Sequence, residues 1–294
     1  MPWKPPEALK PVLVPLWNAG HRAARRVREL AYAARHGWFG RCDVCGRFGP
    51  WLYRPAIITP RLIDLSGLSA AQADALRRKE TLDCSWCSAK LRARRLAKVV
   101  LSRYPTAKPV SSLKQWVRQP EIRALDIAEI NTIEGMHRYL STLPRLAFSE
   151  YIDPNSPGSP TAARHEDLTR LTYPDAAFDL VLTSESLEHV PDLSAALREI
   201  GRVLKPGGHH IFTIPVHPNV AKTFARTVVR PDGTLEHLAP QIRHPWGDRG
   251  WPVYTEFGTD LPEILRAAGF ATEVAFGPTR DDDLAQVYDY RKPA

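Results

Sequence analysis

From Pro120 onward, short apolar runs alternate with longer stretches in which apolar residues recur every three or four positions. Short apolar runs read as buried strands, and the longer stretches as helices covering them. Strands are expected at Ala124–Ile130, Ala147–Ile152, Leu180–Thr183, His210–Thr213, Thr272–Ala275 and Ala285–Tyr290, and helices at Gly135–Leu143, Ser194–Val203 and Asp260–Ala268. Such alternation predicts an α/β domain built on a doubly wound sheet. Before residue 120 the pattern is mainly helical: a basic amphipathic stretch from His21 to His36, a second around Ser69–Lys79 with Ser69 as its N-cap, and an arginine-rich third at Ser88–Arg103. Pro105, Pro109, Ser111 and Ser112 in Tyr104–Pro120 mark the approach to a new domain, so residues 1–110 and 111–294 are read as two units.

The chain's four cysteines fall as Cys42-Asp-Val-Cys45 and Cys84-Ser-Trp-Cys87, separated by 38 residues. Two such pairs can place four thiolates on one tetrahedral ion, so the N-terminal unit is read as a zinc ribbon or knuckle with structural Zn2+ on Cys42, Cys45, Cys84 and Cys87. Four sulfur ligands leave no open position for catalysis, which assigns the metal to folding and recognition.

Composition is that of an ordinary globular protein, with 44% hydrophobic and 24% charged residues. No apolar run approaches the roughly 20 residues of a bilayer span and no signal peptide is evident, so a cytoplasmic location and no membrane span are expected. Charge is split: residues 1–120 carry 23 Lys and Arg against 7 Asp and Glu, a net +16, and the remainder a net −8. That field favours an anionic partner, RNA or a phosphorylated carrier, with Arg92, Arg94, Arg95 and Lys98 facing it. The plainer alternative is that the arginines solvate helical faces.

In Asp179-Leu-Val-Leu-Thr-Ser-Glu185 an apolar strand ends in polar residues, which places Ser184 and Glu185 at the carboxyl edge of the sheet, where ligands bind. A helix opened by Ser194 runs to Leu204, and Lys205-Pro-Gly-Gly208 turns into the next strand. His165-Glu-Asp-Leu168, Tyr173-Pro-Asp175, Phe178-Asp179, Leu187-Glu-His-Val190, Arg198-Glu-Ile-Gly-Arg-Val-Leu-Lys-Pro-Gly-Gly208 and Thr213-Ile-Pro215 together closely resemble the type 11 kind of class I S-adenosylmethionine-dependent methyltransferase. The resemblance extends over about residues 120–290, its tail carried by Tyr254, Phe257-Gly-Thr-Asp-Leu261 and Ala268-Gly-Phe270. It implies a Rossmann-like sheet and an S-adenosylmethionine site in which Asp167 and Leu168 meet the adenine, Glu150 the ribose hydroxyls, and Glu185 the methyl donor.

The first loop departs from the family. In place of an acid and a glycine-rich turn stands Leu125-Asp126-Ile-Ala-Glu129-Ile-Asn-Thr-Ile-Glu-Gly135, with only Ala128 and Gly135 permitting close backbone approach. Its acids Asp126 and Glu129 are the cofactor candidates here, Glu129 toward the amino-acid end. A variant loop, a pocket put to another use and a pseudoenzyme all fit this departure.

Methyl transfer from a sulfonium asks the protein for alignment and, for a hydroxyl acceptor, removal of a proton. His244 and then His189 are the candidate bases; His217 and His237 share with His244 the long segment 215–254, read as a substrate lid. His189 is equally a helix-start residue, and Trp246 and Trp251 either stack on an acceptor or pack the loop. After the fourth strand, Glu185-Ser-Leu-Glu188 does not resemble the Asn/Asp-Pro-Pro-aromatic motif of amino-methylating enzymes, which tilts the acceptor toward oxygen or carbon. The expected function is methylation, at oxygen, of a small molecule or glycan. Methylation of ribosomal RNA, and a non-catalytic zinc adaptor binding nucleic acid, stand as alternatives.

Overall fold

The structure is a computed structural model describing residues 23–24, 26–54, 58–152, 163–244, 250–270, 272–277 and 283–294. Within them, residues 26–35 of the basic stretch are helical (α1). Strands β1 (Phe39–Arg41), β2 (Phe48–Tyr53) and β3 (Leu82–Cys84) form a small antiparallel sheet. Helices α2 (Pro60–Ser66) and α3 (Ala70–Thr81) connect β2 to β3, and α4 (Leu91–Arg103) follows. Ser69 caps α3 reciprocally, its hydroxyl accepting from Gln72 N while the Gln72 side chain accepts from Ser69 N.

After α5 (Leu113–Trp116) and α6 (Pro120–Arg123) come β4 (Ile127–Ile130), α7 (His137–Leu140), β5 (Leu146–Glu150), β6 (Arg164–His165), β7 (Phe178–Ser184), α8 (Leu193–Val203) and β8 (Leu204–Thr213). Three two-stranded ribbons occupy the expected lid: β9 (Phe224–Ala225) with β14 (Thr255–Glu256), β10 (Thr227–Val229) with β11 (Leu235–His237), and β12 (Arg243–His244) with β13 (Trp251–Pro252). Helix α9 (Leu261–Ala267), β15 (Thr272–Phe276) and β16 (Val287–Arg291) complete the order. The main sheet runs β15-β16-β8-β7-β4-β5-β6. Strands β4 to β8 are parallel and β16 alone is reversed, pairing antiparallel with both β8 and β15. This mostly parallel sheet with one reversed strand is the Rossmann-like arrangement that the resemblance implies.

Two details differ from expectation. Asp192, not Ser194, caps α8, accepting from Ala195 N. Lys205-Pro-Gly-Gly208 is not a separate turn: Leu204 already pairs with Phe178, and the next pair, Leu180 with His209, leaves those residues as a bulge inside β8.

Side chains alternate across the sheet as strand geometry requires. Ala128, Val181 and Phe212 face α8 and α9, packing with Leu197, Ile200, Leu261 and Leu265. Ile127, Leu180, Leu182 and Ile211 face the other way, and their cover is Leu96, Ala97 and Val100 of α4 together with Trp116, Met136 and Leu140. The same cluster takes in Cys42, Cys45, Cys84 and Cys87, so the cysteine segment and the sheet share one core. The sequence pattern gave no sign that a helix preceding the first strand would cover one face of the sheet.

His210 lies fully buried, stacked on Phe212 at 4.3 Å, and burial pushes its pKa down to about 3. A neutral buried imidazole refuses a proton that the unfolded chain accepts, so its contribution is complete above the ordinary value of 6.5 and declines as pH falls from there toward 3. Between pH 7 and 5.5 the wild type is expected to lose about 1 kcal/mol more than His210→Gln, read by urea unfolding at both pH values; parallel losses would remove His210 as the cause.

Candidate functional site

Each cysteine pair sits in a tight knuckle. The first closes the β1–β2 hairpin, with Gly46 N donating to Cys42 O; the second follows β3, with Ser88 N donating to Cys84 O. Gly46 and Ser88 both take left-handed backbone conformations, which turns each pair of thiols inward. Cys42 Sγ lies 3.8 Å from Cys87 Sγ and Cys45 Sγ 3.8 Å from Cys84 Sγ. All four sulfurs fall within 4.8 Å of one another, and all four thiols are free and buried. Sulfurs bound at about 2.3 Å around a tetrahedral Zn2+ stand about 3.8 Å apart, so the donor set fits that ion.

Two residues of the basic stretch beyond the second pair, Arg92 and Arg94, do not face outward, a correction to that part of the sequence reading, while Lys98 is exposed. Arg92 and Arg94 are buried: Arg92 Nε donates to Glu80 at 3.2 Å and its Nη1 to Ser184 Oγ, while the Arg94 guanidinium lies 3.8 Å over the Trp51 ring. Arg95 grips Asp283 and the carbonyl of Ala285, and further along α4 Arg103 pairs with Asp289 at 2.5 Å and with Glu273. Acids of the negative C-terminal half thus meet bases of the positive N-terminal half within one molecule. Burial alone would raise the Glu80 carboxyl, but Arg92, Lys79 and Lys90 around it hold it down at about 2.

At the carboxyl edge, Glu129 is fully buried and closes its own loop, accepting from Ile133 N at 2.9 Å and from His137 Nδ1 at 2.7 Å. That bond raises the His137 pKa. Asn131, at φ 63°, donates to Ser186 Oγ and ties this loop to the end of β7. Glu150 ends β5 and accepts from Thr132 Oγ1, beside the same loop. Gly135 serves a different neighbour from the one expected. At φ +79°, a Cβ there would meet Ala89 Cα at 2.6 Å, so the glycine admits the cysteine knuckle rather than a cofactor. Lys90 beside it pairs with Glu134 at 2.8 Å.

Asp126 stands at the amino end of β4, the opposite edge from the other candidates, held by Arg145 and Lys205. It corrects the reading of this residue as cofactor-binding: it is a structural ion-pair acid. Asp167 turns back on its own loop, accepting from Thr169 N and Oγ1, and Leu168 is buried in the core. Glu185, at φ 51°, accepts from the buried Lys79 Nζ at 2.6 Å. Helices α3 and α4 therefore reach over the end of β7.

His189 and His244, 55 residues apart in sequence, are brought together: Nε2 of the first lies 3.1 Å from Nδ1 of the second. His189 sits on the short 3-10 turn Leu187–His189 and His244 on β12. Nδ1 of His189 donates to the Pro252 carbonyl at 2.8 Å, and Tyr254 N donates to Glu188 O, which fastens the ribbon segment to the turn. The residue sequence reading missed is Glu188. Its carboxylate is fully buried 3.5 Å from His189 Nε2 and 3.4 Å from His244 Nδ1, yet neither of its oxygens has a hydrogen-bond partner. Burial alone would raise its pKa, but the two imidazoles hold it low; conversely burial would lower that of His244, and Glu188 raises it. The only available signal was an acid inside Leu187-Glu-His-Val190, which reads equally as a surface helix start. His217 and His237 are occupied elsewhere, with Ser66 O and Thr227 Oγ1. Trp251 meets Tyr151 edge-on, and Trp246 lies outside the described residues.

Residues 143–212 match the family model Methyltransf_11, described as a methyltransferase domain. Among curated proteins, a ubiquinone/menaquinone biosynthesis C-methyltransferase of Hydrogenovibrio crunogenus is 34% identical over 110 residues, covering 32% of this chain and 43% of its own. A ubiquinone biosynthesis O-methyltransferase of Paramagnetospirillum magneticum is 37% identical over 112 residues, covering 37% and 41%. A 27-O-demethylrifamycin SV methyltransferase of Amycolatopsis mediterranei is 50% identical over 44 residues, 15% of this chain and 16% of its own. The chain spans less than half the length of these relatives. A solved S-adenosylmethionine-dependent methyltransferase from Mesorhizobium loti, at 19% identity and a TM-score of 0.38, covers 60% of this chain and 96% of its own.

Proposed function

We propose that this protein is an S-adenosylmethionine-dependent methyltransferase that methylates a hydroxyl of a small molecule or glycan, on a sheet whose active edge is completed by a zinc-binding ribbon. The cluster of Glu188, His189 and His244 beside the carboxyl end of β7 carries the reading, because it places proton-handling groups next to the edge where a nucleotide cofactor lies. Glu129, Glu150 and the 167–168 turn frame the cofactor side, and Lys79 orients Glu185 at the methyl end. The three curated relatives, by their names, all act on small molecules, two on quinone intermediates and one on a rifamycin. Internal pairing of Arg92, Arg95 and Arg103 weakens the RNA alternative, whose main support was the basic N-terminal charge. Among the described residues no helix is long and apolar enough to cross a membrane.

Zinc-loaded protein is expected to bind S-adenosylmethionine in calorimetry; absence of binding would sink the methyltransferase reading. His244→Ala is expected to keep that binding and lower turnover by about 10²-fold or more, the usual contribution of a proton-transfer group. Unchanged turnover would take His244 out of the chemistry.

A further inference from the structure

We propose that Glu188, His189 and His244 form a second metal site, holding one divalent transition-metal ion with coordination positions open to the acceptor. The inference rests on the methyltransferase reading for its role in catalysis, but the metal site itself stands on geometry. His189 Nε2, His244 Nδ1 and Glu188 Oε1 form a closed triangle with sides of 3.1, 3.4 and 3.5 Å. Donor atoms bound at about 2.0 to 2.1 Å around a tetrahedral ion stand about 3.3 Å apart, which these three sides bracket.

The hydrogen bonding points the same way. His189 spends its Nδ1 proton on the Pro252 carbonyl, which leaves the Nε2 lone pair aimed into the triangle, as a second partner fixes the tautomer of a metal-bound histidine. Glu188 is a fully buried carboxylate whose oxygens make no hydrogen bond, its nearest polar neighbours being the two imidazole nitrogens at 3.4 and 3.5 Å. A buried anion without hydrogen bonds is costly, and a cation at the centre of the triangle would satisfy it. Two imidazoles and one carboxylate suit zinc, iron(II), cobalt(II) or nickel(II) in preference to magnesium. Three protein ligands, in contrast to the four sulfurs of the ribbon, leave room for an oxygen of the acceptor.

Bound there, with His189 and His244 serving as ligands in place of direct proton acceptors, an acceptor hydroxyl would lose its proton to water at a lowered pKa, and the resulting oxyanion would attack the methyl carbon. The carbon–sulfur bond breaks as the carbon–oxygen bond forms, and the sulfonium leaves as a neutral thioether. Charge and atoms balance with no further reactant.

The test is metal content of the purified full chain after dialysis against Zn2+ and, in parallel, Co2+. Wild type is expected to hold two equivalents. Glu188→Gln and, independently, His244→Ala are expected to hold one, with the thiolate-to-cobalt charge-transfer band of the ribbon retained and the weaker d–d bands of a nitrogen–oxygen site lost. One equivalent in wild type, or two in both variants, overturns the proposal in favour of a metal-free proton relay. The His244 side chain is 34% exposed and sits on the two-residue strand β12, whereas Glu188 is fully buried, so the His244 variant reports even where Glu188→Gln does not fold. S-adenosylmethionine binding, measured on the same samples, separates the two failures: binding with one metal refutes only the second site, and no binding refutes the methyltransferase reading.

Discussion

Cys84→Ser is expected to cost the protein its S-adenosylmethionine binding along with its ribbon zinc, although no cysteine lies among the cofactor candidates. The four thiols sit in the core cluster that covers one face of the main sheet, so three remaining ligands would have to hold both a metal and a buried interface. The loss would spread along two routes. Gly135, on the loop closed by Glu129, has its missing side chain replaced by Ala89 of the second knuckle. Arg92 and Lys79, on helices flanking β3, hold Ser184 and Glu185 at the end of β7. A fall in melting temperature on the order of 10 °C is expected, corresponding to several kcal/mol in a chain of this size. Zinc loss with unchanged cofactor affinity would show that the ribbon is a bystander to the site.

Lys79→Met is the second large effect. Lys79 is among the most deeply buried side chains of the protein, with a side-chain exposure of 2%, and its ammonium lies 2.6 Å from Glu185, itself 13% exposed. Removing the cation leaves Glu185 a largely buried carboxylate beside Glu80 with only the more distant Arg92 guanidinium to offset it, and breaking a buried pair typically costs about 3 to 5 kcal/mol. The expected outcome is a fall of about 3 kcal/mol in urea unfolding, partly recovered in the double variant Lys79→Met/Glu185→Gln, where the stranded charge is gone. A double variant no more stable than the single would mean that lost packing, not charge, explains the fall.

The α/β half was legible because its strands and helices obey local rules. Five strands and α8 and α9 lie within a few residues of where the apolar periods place them, and Ser69 begins α3 through a side-chain bond that its own sequence window contains. The two-residue β6 has no period to read. At the site, His189 and His244 were singled out separately by residue type, but their meeting across 55 residues is a product of the ribbon segment folding back on the 3-10 turn. Glu188 was invisible for the same reason: burial of a carboxylate is a property of what covers it. Charge was legible only as a sum. Part of the basic excess before residue 120 is met from within, Lys79 by Glu185, Arg95 by Asp283 and Arg103 by Asp289, and nothing in a linear charge count separates such internal pairs from bases left to a foreign polyanion.

Helix α4 covers the face of the main sheet carrying Ile127, Leu180, Leu182 and Ile211, but it precedes every strand of that sheet in the chain. During synthesis from the N-terminus, both cysteine knuckles and α4 leave the ribosome before β4 begins. Metal capture can therefore come first, and each strand as it emerges meets a cover already in place. A gene fragment starting at Pro120 would encode the whole seven-stranded sheet and still leave one of its faces without α4 and Trp116, covered only in part by Met136 and Leu140, an apolar surface of the kind that drives aggregation. Exchange of catalytic halves between such proteins must cut ahead of the first knuckle, not at the proline-rich stretch that reads as a seam in the sequence.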